Sequence, residues 1–294
     1  MARKRLLSAT ALTVALTATA CTSVSAPITT EQSSSGAATS AFQEVEIRVR
    51  LTTAGSDAEV PQTGTLQIPP KLGDSTPVVV LLHGAGGATR ESLAAMADAV
   101  ADMGIPVLNA SWLASHSQLA GSVADAVCAV AYAHQNASAW GANPDRIIVM
   151  GHSGGGHVGM IAGLDPEAFP ECENASEAHV WAYIGLAGDP AAAAPGGNMR
   201  RFLLDDPELL SRMDSYNHIG GNTELITRFV HGTADTTVPI ELTGAFHEAL
   251  IAAGYDSQLI PVNEAGHFGP TLPTTPAGLA VLEQLAILVG MAQP

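Results

Sequence analysis

The chain has 294 residues, and its 28 acidic side chains outnumber its 12 lysines and arginines, giving a formal net charge of −16 at pH 7. Hydrophobic residues make up 47% of the sequence, enough to build the core of one large α/β domain. The acidic balance argues against nucleic-acid binding, which depends on clustered lysine and arginine.

The N-terminus carries the features of an export signal. Arg3, Lys4 and Arg5 precede a mostly apolar run over residues 6–20. This run is shorter than the roughly 20 apolar residues that a membrane-spanning helix needs. We therefore predict that residues 1–20 are a signal peptide and that the protein is exported.

Cys21 follows this run directly, and residues 18–21 (Ala-Thr-Ala-Cys) resemble a bacterial lipobox, in which the cysteine is lipidated. The motif departs from the usual pattern at Ala18, where leucine is preferred, and ordinary cleavage after Ala20 is the alternative. Residues 21–41 are rich in small polar residues, which predicts a flexible tether. We expect a cell-surface lipoprotein or a secreted protein, with membrane contact only through this lipid.

Strand-like and helix-like segments alternate from residue 42 to the end. The predicted strands cover residues 42–51, 78–82, 105–108, 146–150, 180–186, 225–230 and 258–262. The predicted helices cover residues 91–103, 117–139, 154–162, 240–253 and 277–289. This order predicts one α/β domain over residues 42–294, a mostly parallel central sheet with helices on both faces.

One stretch, residues 189–222, is less regular than the rest. It contains Pro190, four alanines and a Pro-Gly-Gly sequence, then a predicted short helix near residues 207–214. We expect this stretch to be a small lid insertion beside a fairly open site.

The strongest chemical signal is Gly-His-Ser-Gly-Gly at residues 151–155, between a predicted strand and a predicted helix. A serine at such a strand-to-helix turn is lifted out of the sheet and exposed. This context predicts that Ser153 is a nucleophile, and that the amide of Gly154 is one donor of an oxyanion hole. The second donor is expected in His-Gly-Ala-Gly-Gly at residues 83–87, at Ala85 or alternatively at Gly86.

A serine nucleophile needs a base, and the base needs an acid to orient it. His267 lies in the loop after the last predicted strand, and Asp235 follows the strand over residues 225–230. Both positions are carboxyl ends of parallel strands, where open α/β sheets place their sites. We therefore predict a triad of Ser153, His267 and Asp235.

Residues 78–87, 143–157 and 231–239 resemble the α/β-hydrolase superfamily, in particular its esterase, dienelactone-hydrolase-like and prolyl-oligopeptidase-like branches. The resemblance covers nearly the whole chain after residue 42. It implies an α/β-hydrolase fold and ester hydrolysis through an acyl-enzyme. These branches often carry a fuller glycine run where this chain has Ala85, which leaves the second oxyanion donor open.

The remaining assignments concern pocket, structural and cysteine residues. Trp112 and Phe268 are candidates for substrate binding, although either could belong to the core. Three histidines are expected to support loops and a fourth the first helix after the nucleophile: His83, His152, His231 and His157. In an exported protein Cys128 and Cys172 can form a disulfide, the alternative being two buried thiols.

The sequence thus favours a serine carboxylic ester hydrolase acting on small-acyl or bulky-alcohol esters, of small molecules or carried on a polymer. No metal-ligand spacing or phosphate loop is present, so we expect no cofactor and no metal ion. The alternatives are a peptidase or amidase with the same triad, and a non-catalytic surface lipoprotein that binds a solute.

Overall fold

The computed structural model describes residues 41–51, 59–70, 72–73, 75–113, 119–200 and 204–290. The predicted signal peptide, Cys21 and the tether up to residue 40 lie outside these ranges. Their assignments therefore stay predictions.

Within the described ranges, eight strands form one sheet in the order β1-β2-β4-β3-β5-β6-β7-β8. The hairpin of β1 and β2 is antiparallel, β2 also runs antiparallel to β4, and every neighbouring pair from β4 to β8 is parallel. The mostly parallel sheet is therefore confirmed. The strands are β1 (Ala41–Leu51), β2 (Glu59–Ile68), β3 (Val78–Leu82), β4 (Val107–Ala110), β5 (Ile147–His152), β6 (Ala182–Leu186), β7 (Ile226–Gly232) and β8 (Ser257–Val262).

Helices cover both faces of the sheet, because the central strands are apolar on both sides. In β3, Val78 and Val80 pack into one core while Val79 and Leu81 pack into the other. Helices α2, α3 and α5 contribute to the first core, and α1 and α6 to the second. The helices are α1 (Ala94–Asp102), α2 (Leu119–Ala137), α3 (Gly154–Leu164), α4 (Pro207–Met213), α5 (Ile240–Ala252) and α6 (Pro276–Val289).

Strand β2 was not predicted from the sequence, because Pro61 and Gly64 interrupt its apolar pattern. Its Gln62 is fully buried, and the side-chain amide donates to the carbonyl oxygens of Ser111 and Asp125. The sequence shows Gln62 as a polar residue, although its side chain lies in the core with its amide nitrogen paired.

The irregular stretch after β6 packs against the helical layer. Met213 at the end of α4 is fully buried in the α2–α3 core. The ring of His157 in α3 lies 3.4 Å from both the carbonyl oxygen of Pro190 and the hydroxyl of Ser215. His157 thus connects the insertion to α3, in keeping with its predicted structural place, while the function of the insertion as a lid stays a prediction.

Cys128 of α2 and Cys172 form a disulfide in the structure, with their Cα atoms 5.5 Å apart. The bond links α2 to the segment between α3 and β6. Among the described helices, none has both the length and the apolar character needed to cross a membrane.

Candidate active site

Ser153 stands at the turn from β5 into α3 with a strained backbone, φ 51° and ψ −120°. A positive φ at a residue other than glycine is held only when its surroundings impose it, and such strain concentrates at functional sites. The start of α3 lies close to the end of β3: a Cβ on Gly155 would lie 2.2 Å from the carbonyl oxygen of His83 and 2.4 Å from that of Leu82. Glycine is therefore required at this position for the elbow to form.

The carboxylate of Asp235 is buried and accepts hydrogen bonds on both oxygens. The backbone amides of Thr237 and Val238 donate to Oδ1 at 2.8 and 3.0 Å. Oδ2 lies 2.8 Å from Nδ1 of His267 and 3.2 Å from Nε2 of His231. Burial alone would raise the pKa of Asp235, but the donors from His231, His267 and the two amides outweigh it and hold the pKa below its usual range.

His267 is nearly buried, in the loop after β8. Because its Nδ1 faces an acceptor-only carboxylate, Nδ1 carries the proton and Nε2 is left as the basic nitrogen. Among the described residues, the hydroxyl of Ser153 has no hydrogen-bond partner. Contacts between a nucleophile and its base are often long without substrate and tighten when it binds.

His152, the residue before Ser153, contacts His267. Its Nε2 lies 3.2 Å from the backbone carbonyl of His267, and the two rings are 4.8 Å apart between centroids. Burial, assisted by the neighbouring imidazole of His267, lowers the pKa of His152 to about 4. His152 is therefore neutral near pH 7 and donates its Nε2–H to that carbonyl.

Phe268 and Trp112, the two predicted pocket residues, occupy different environments. Phe268 is 65% exposed, with its ring against those of His152 and His267, so it forms an apolar rim beside His267. Trp112 is only 5% exposed. Its Nε1 donates to the carbonyl of His83 at 2.8 Å, and its ring stacks on the His83 ring.

Trp112 thus lies in the core, the alternative that the sequence left open, and its place in substrate binding stays a prediction. Its indole N–H needs a partner when buried, and it finds one in the loop that follows β3. Trp112 anchors this loop through the carbonyl of His83.

The loop after β3 meets the start of α3 where the oxyanion hole was predicted. A Cβ placed on Gly154 would lie 3.3 Å from the backbone nitrogen of Ala85 and 2.8 Å from its Cβ. Gly86 follows with a φ of +74°, at the turn of the loop. The structure thus brings the Ala85 and Gly154 backbones together beside Ser153.

The contact of His231 with Asp235 was not predicted from the sequence. His231 was assigned only to loop support, although its Nε2 lies within hydrogen-bond distance of the Asp235 carboxylate and 2.9 Å from the carbonyl of Val238. Both partners are acceptors, so Nε2 carries the proton. The only signal in the sequence was that Asp235 follows His231 by four residues. In a loop, unlike in a helix, this spacing does not predict a contact.

A family model described as BD-FAE matches residues 65–188. The esterase LipC of Mycobacterium tuberculosis (strain H37Rv) is 27% identical over 156 residues, 48% of this chain and 38% of LipC. The carboxylesterase NlhH of M. tuberculosis (strain CDC 1551) is 31% identical over 120 residues, 40% of this chain and 38% of NlhH. The matched part of the chain thus spans 38% of the length of each of these relatives.

Among solved structures, the chain is similar to a thermophilic esterase of Thermogutta terrifontis, Est2, in its native form. The TM-score is 0.66 at 24% identity, covering 84% of this chain and 94% of the esterase. At this identity the likeness establishes the fold. This is the α/β-hydrolase fold, which the residues of the serine elbow and of the loops after β3 and β7 also imply.

The strained elbow makes a prediction for stability. Ser153→Gly removes the Cβ that is crowded at positive φ, so we expect the free energy of unfolding to rise by about 1 kcal/mol and Tm by roughly 2–4 °C. Ser153→Ala keeps the Cβ and is the matched control, with a Tm near that of the wild type. Thermal unfolding by circular dichroism measures both, and a Ser153→Gly variant no more stable than Ser153→Ala would show that the elbow is unstrained.

Proposed function

Because this chain belongs to the α/β-hydrolase superfamily, we propose that it is a carboxylic ester hydrolase that works through an acyl-enzyme on Ser153. The observation that carries the proposal is the 2.8 Å contact between His267 Nδ1 and Asp235 Oδ2, beside a strained serine elbow. A nucleophile, a base and an acid, each on a different loop at the same edge of the sheet, are the parts that acyl transfer requires.

In the proposed mechanism, Ser153 Oγ attacks the ester carbonyl carbon while His267 Nε2 takes the hydroxyl proton. Asp235 stabilises the imidazolium that forms and does not itself take the proton. The carbonyl oxygen becomes an oxyanion, which the amides of Ala85 and Gly154 bind. Loss of one such donor typically raises the barrier by about 3–4 kcal/mol.

The tetrahedral intermediate then collapses. The bond from the carbonyl carbon to the alkoxy oxygen breaks, and His267 delivers its proton to the leaving alcohol. Water next attacks the acyl-enzyme, giving its proton to His267, and the acid leaves as Ser153 recovers its hydrogen. The reaction consumes one ester and one water and needs no further co-reactant.

The first test is hydrolysis of p-nitrophenyl butyrate by the triad variants. Ser153→Ala and Asp235→Asn should each lower kcat by about 10⁴-fold or more, because the first removes the nucleophile and the second the charge that fixes His267. The matched controls are Ser138→Ala and Asp145→Asn, which make the same substitutions at exposed positions. Wild-type protein that is folded yet hydrolyses no ester would contradict the proposal.

For the substrate, we propose esters of short acids. The Thermogutta terrifontis esterase 2 has been solved with butyrate and with propionate bound. In this chain the rim residue Phe268 stands exposed beside the base, and the insertion after β6 keeps much of its apolar surface in the core. These features favour a shallow acyl site over a long apolar channel.

A series of p-nitrophenyl acetate, butyrate, octanoate and laurate tests this preference. We expect kcat/KM to be highest for acetate or butyrate and to fall for longer chains, which find no apolar surface to cover them. Phe268→Ala should raise KM for the short esters, with kcat changed less, because the rim contacts bound substrate. A maximum of kcat/KM at laurate would contradict the short-acyl proposal.

We further propose that the protein is exported and anchored through a lipid on Cys21. The basic and apolar residues before Cys21, and a disulfide between the two remaining cysteines, support export to an oxidising compartment. Expression in a bacterium fed radiolabelled palmitate should label the wild type and not Cys21→Ser. Cys128→Ser, which leaves the signal intact, is the control and should be labelled. A wild-type protein that stays unlabelled while cleaved after residue 20 would indicate ordinary secretion.

A further inference from the structure

A second buried carboxylate lies near the proposed triad and has no part in the mechanism above. Asp189 follows β6, so it leaves the sheet at the same edge as the loops of Ser153, Asp235 and His267. It is 3% exposed, and its Oδ1 has no partner within the described part of the chain. Buried carboxylates are normally satisfied on both oxygens, so this group calls for a functional explanation.

We propose that Asp189 is a positioning residue of the site: it holds the acid loop against the nucleophile elbow through Asn198, and its negative charge supports the imidazolium formed on His267. This inference rests on the proposed ester hydrolase. It assigns a function to a residue that lies outside the predicted triad.

The contact to the elbow runs through the backbone. The amide of Asp189 donates to the carbonyl oxygen of Ser153 at 3.0 Å. The preceding residue is equally constrained, because a Cβ on Gly188 would lie 3.3 Å from Cα of Gly156 in the first turn of α3. The position of Asp189 is therefore fixed relative to the nucleophile.

The contact to the acid loop runs through Asn198. Its side-chain nitrogen donates to Oδ2 of Asp189 at 3.2 Å and to the carbonyl oxygen of Thr237 at 3.0 Å. The amide of Thr237 in turn donates to Oδ1 of Asp235. One continuous set of hydrogen bonds thus connects the Ser153 elbow to the triad acid without passing through His267.

The charge of Asp189 responds to pH in the range where esterases work. Burial raises its pKa to about 6, against the opposing effects of the Asn198 donor and of His231 and His267, while the charge of Asp235 adds to the rise. Tyr183 and His157 also face the group, and burial keeps both neutral near pH 7. Above about pH 6, Asp189 and Asp235 are therefore both ionised near His267. Below about pH 6, only Asp235 is ionised.

The sign of the stability effect follows from this shift. The folded-state pKa of Asp189 lies above the ordinary carboxyl pKa. The folded protein therefore loses stability as pH rises from that ordinary pKa to about 6, and the loss does not grow further above pH 6. An ionised Asp189 thus lowers stability at pH 8. A charge that lowers stability is expected where it serves activity.

The decisive variant is Asp189→Asn, which keeps an oxygen that can accept from Asn198 and removes the charge. We expect kcat for p-nitrophenyl butyrate at pH 8 to fall about ten-fold with KM within about two-fold, and Tm at pH 8 to be no lower than that of the wild type. The ratio of wild-type to variant kcat/KM should shrink toward one below about pH 5, where Asp189 is neutral in the wild type. Asp145→Asn is the matched control, an exposed aspartate at the opposite end of β5, and should match the wild type throughout.

Asn198→Ala provides an independent measurement. It removes the donor that favours the charged form of Asp189, so the acid-side loss of activity should begin at a higher pH than in the wild type. A purely structural function of either residue would lower Tm and give an activity ratio that does not change with pH.

The outcomes separate the two proposals. Asp189→Asn protein with wild-type kcat at pH 8, or with a ratio independent of pH, would overturn the assignment of Asp189 while leaving the ester hydrolase intact. Paraoxon, which phosphorylates the Thermogutta terrifontis esterase 2, is the probe for the hydrolase itself. Wild-type protein that releases no p-nitrophenol from paraoxon and hydrolyses no ester would overturn both.

Discussion

The hydrogen-bonded carboxylate of Asp235 is the interaction on which the rest of the site depends. An ionised carboxylate is stable in a buried position only when donors replace the water it has lost. Here two backbone amides and two imidazoles supply them. Because one of those imidazoles is His267, the same contacts that stabilise the buried charge also set the tautomer and orientation of His267, the proposed base.

The parallel sheet brings the other parts to this carboxylate. Strands β3, β5, β6, β7 and β8 run in one direction, so the loops that follow them meet at a single edge. The first of these loops carries Ala85, the second Ser153, and the last two Asp235 and His267. Local contacts also fix the first two of these loops: Trp112 anchors the first through the carbonyl of His83, and close packing of glycines fixes the second.

Much of this site could be predicted from the sequence, because its signals are local. The sequence of the elbow at residues 151–155 by itself indicates a strand-to-helix turn. Strand β3 is an unbroken apolar run, and its predicted and observed bounds agree. Loop residues after such strands are constrained to the same edge, which is why Asp235 and His267 could be paired although 32 residues separate them. Predicting the fold required only the order of strands and helices along the chain.

The parts that could not be predicted depend on contacts between distant segments. Strand β2 contains Pro61 and a buried Gln62, so its pairing with β1 and β4 decides its structure more than its own pattern does. Trp112 could have lined a pocket or anchored a loop, and only the position of the His83 carbonyl distinguishes the two. The environment of Asp189 is set by Asn198, nine residues later, across an irregular segment.

The most direct test of this account is proton NMR of protein labelled with ¹⁵N-histidine, observed in the far-downfield region where strongly hydrogen-bonded imidazole protons resonate. We expect a proton bonded to Nδ1 of His267, assigned by its loss in His267→Gln, that also disappears in Asp235→Ala and persists in the control His179→Gln. A folded wild type without this proton, or one in which it survives the loss of Asp235, would contradict the claim that this carboxylate orients the base.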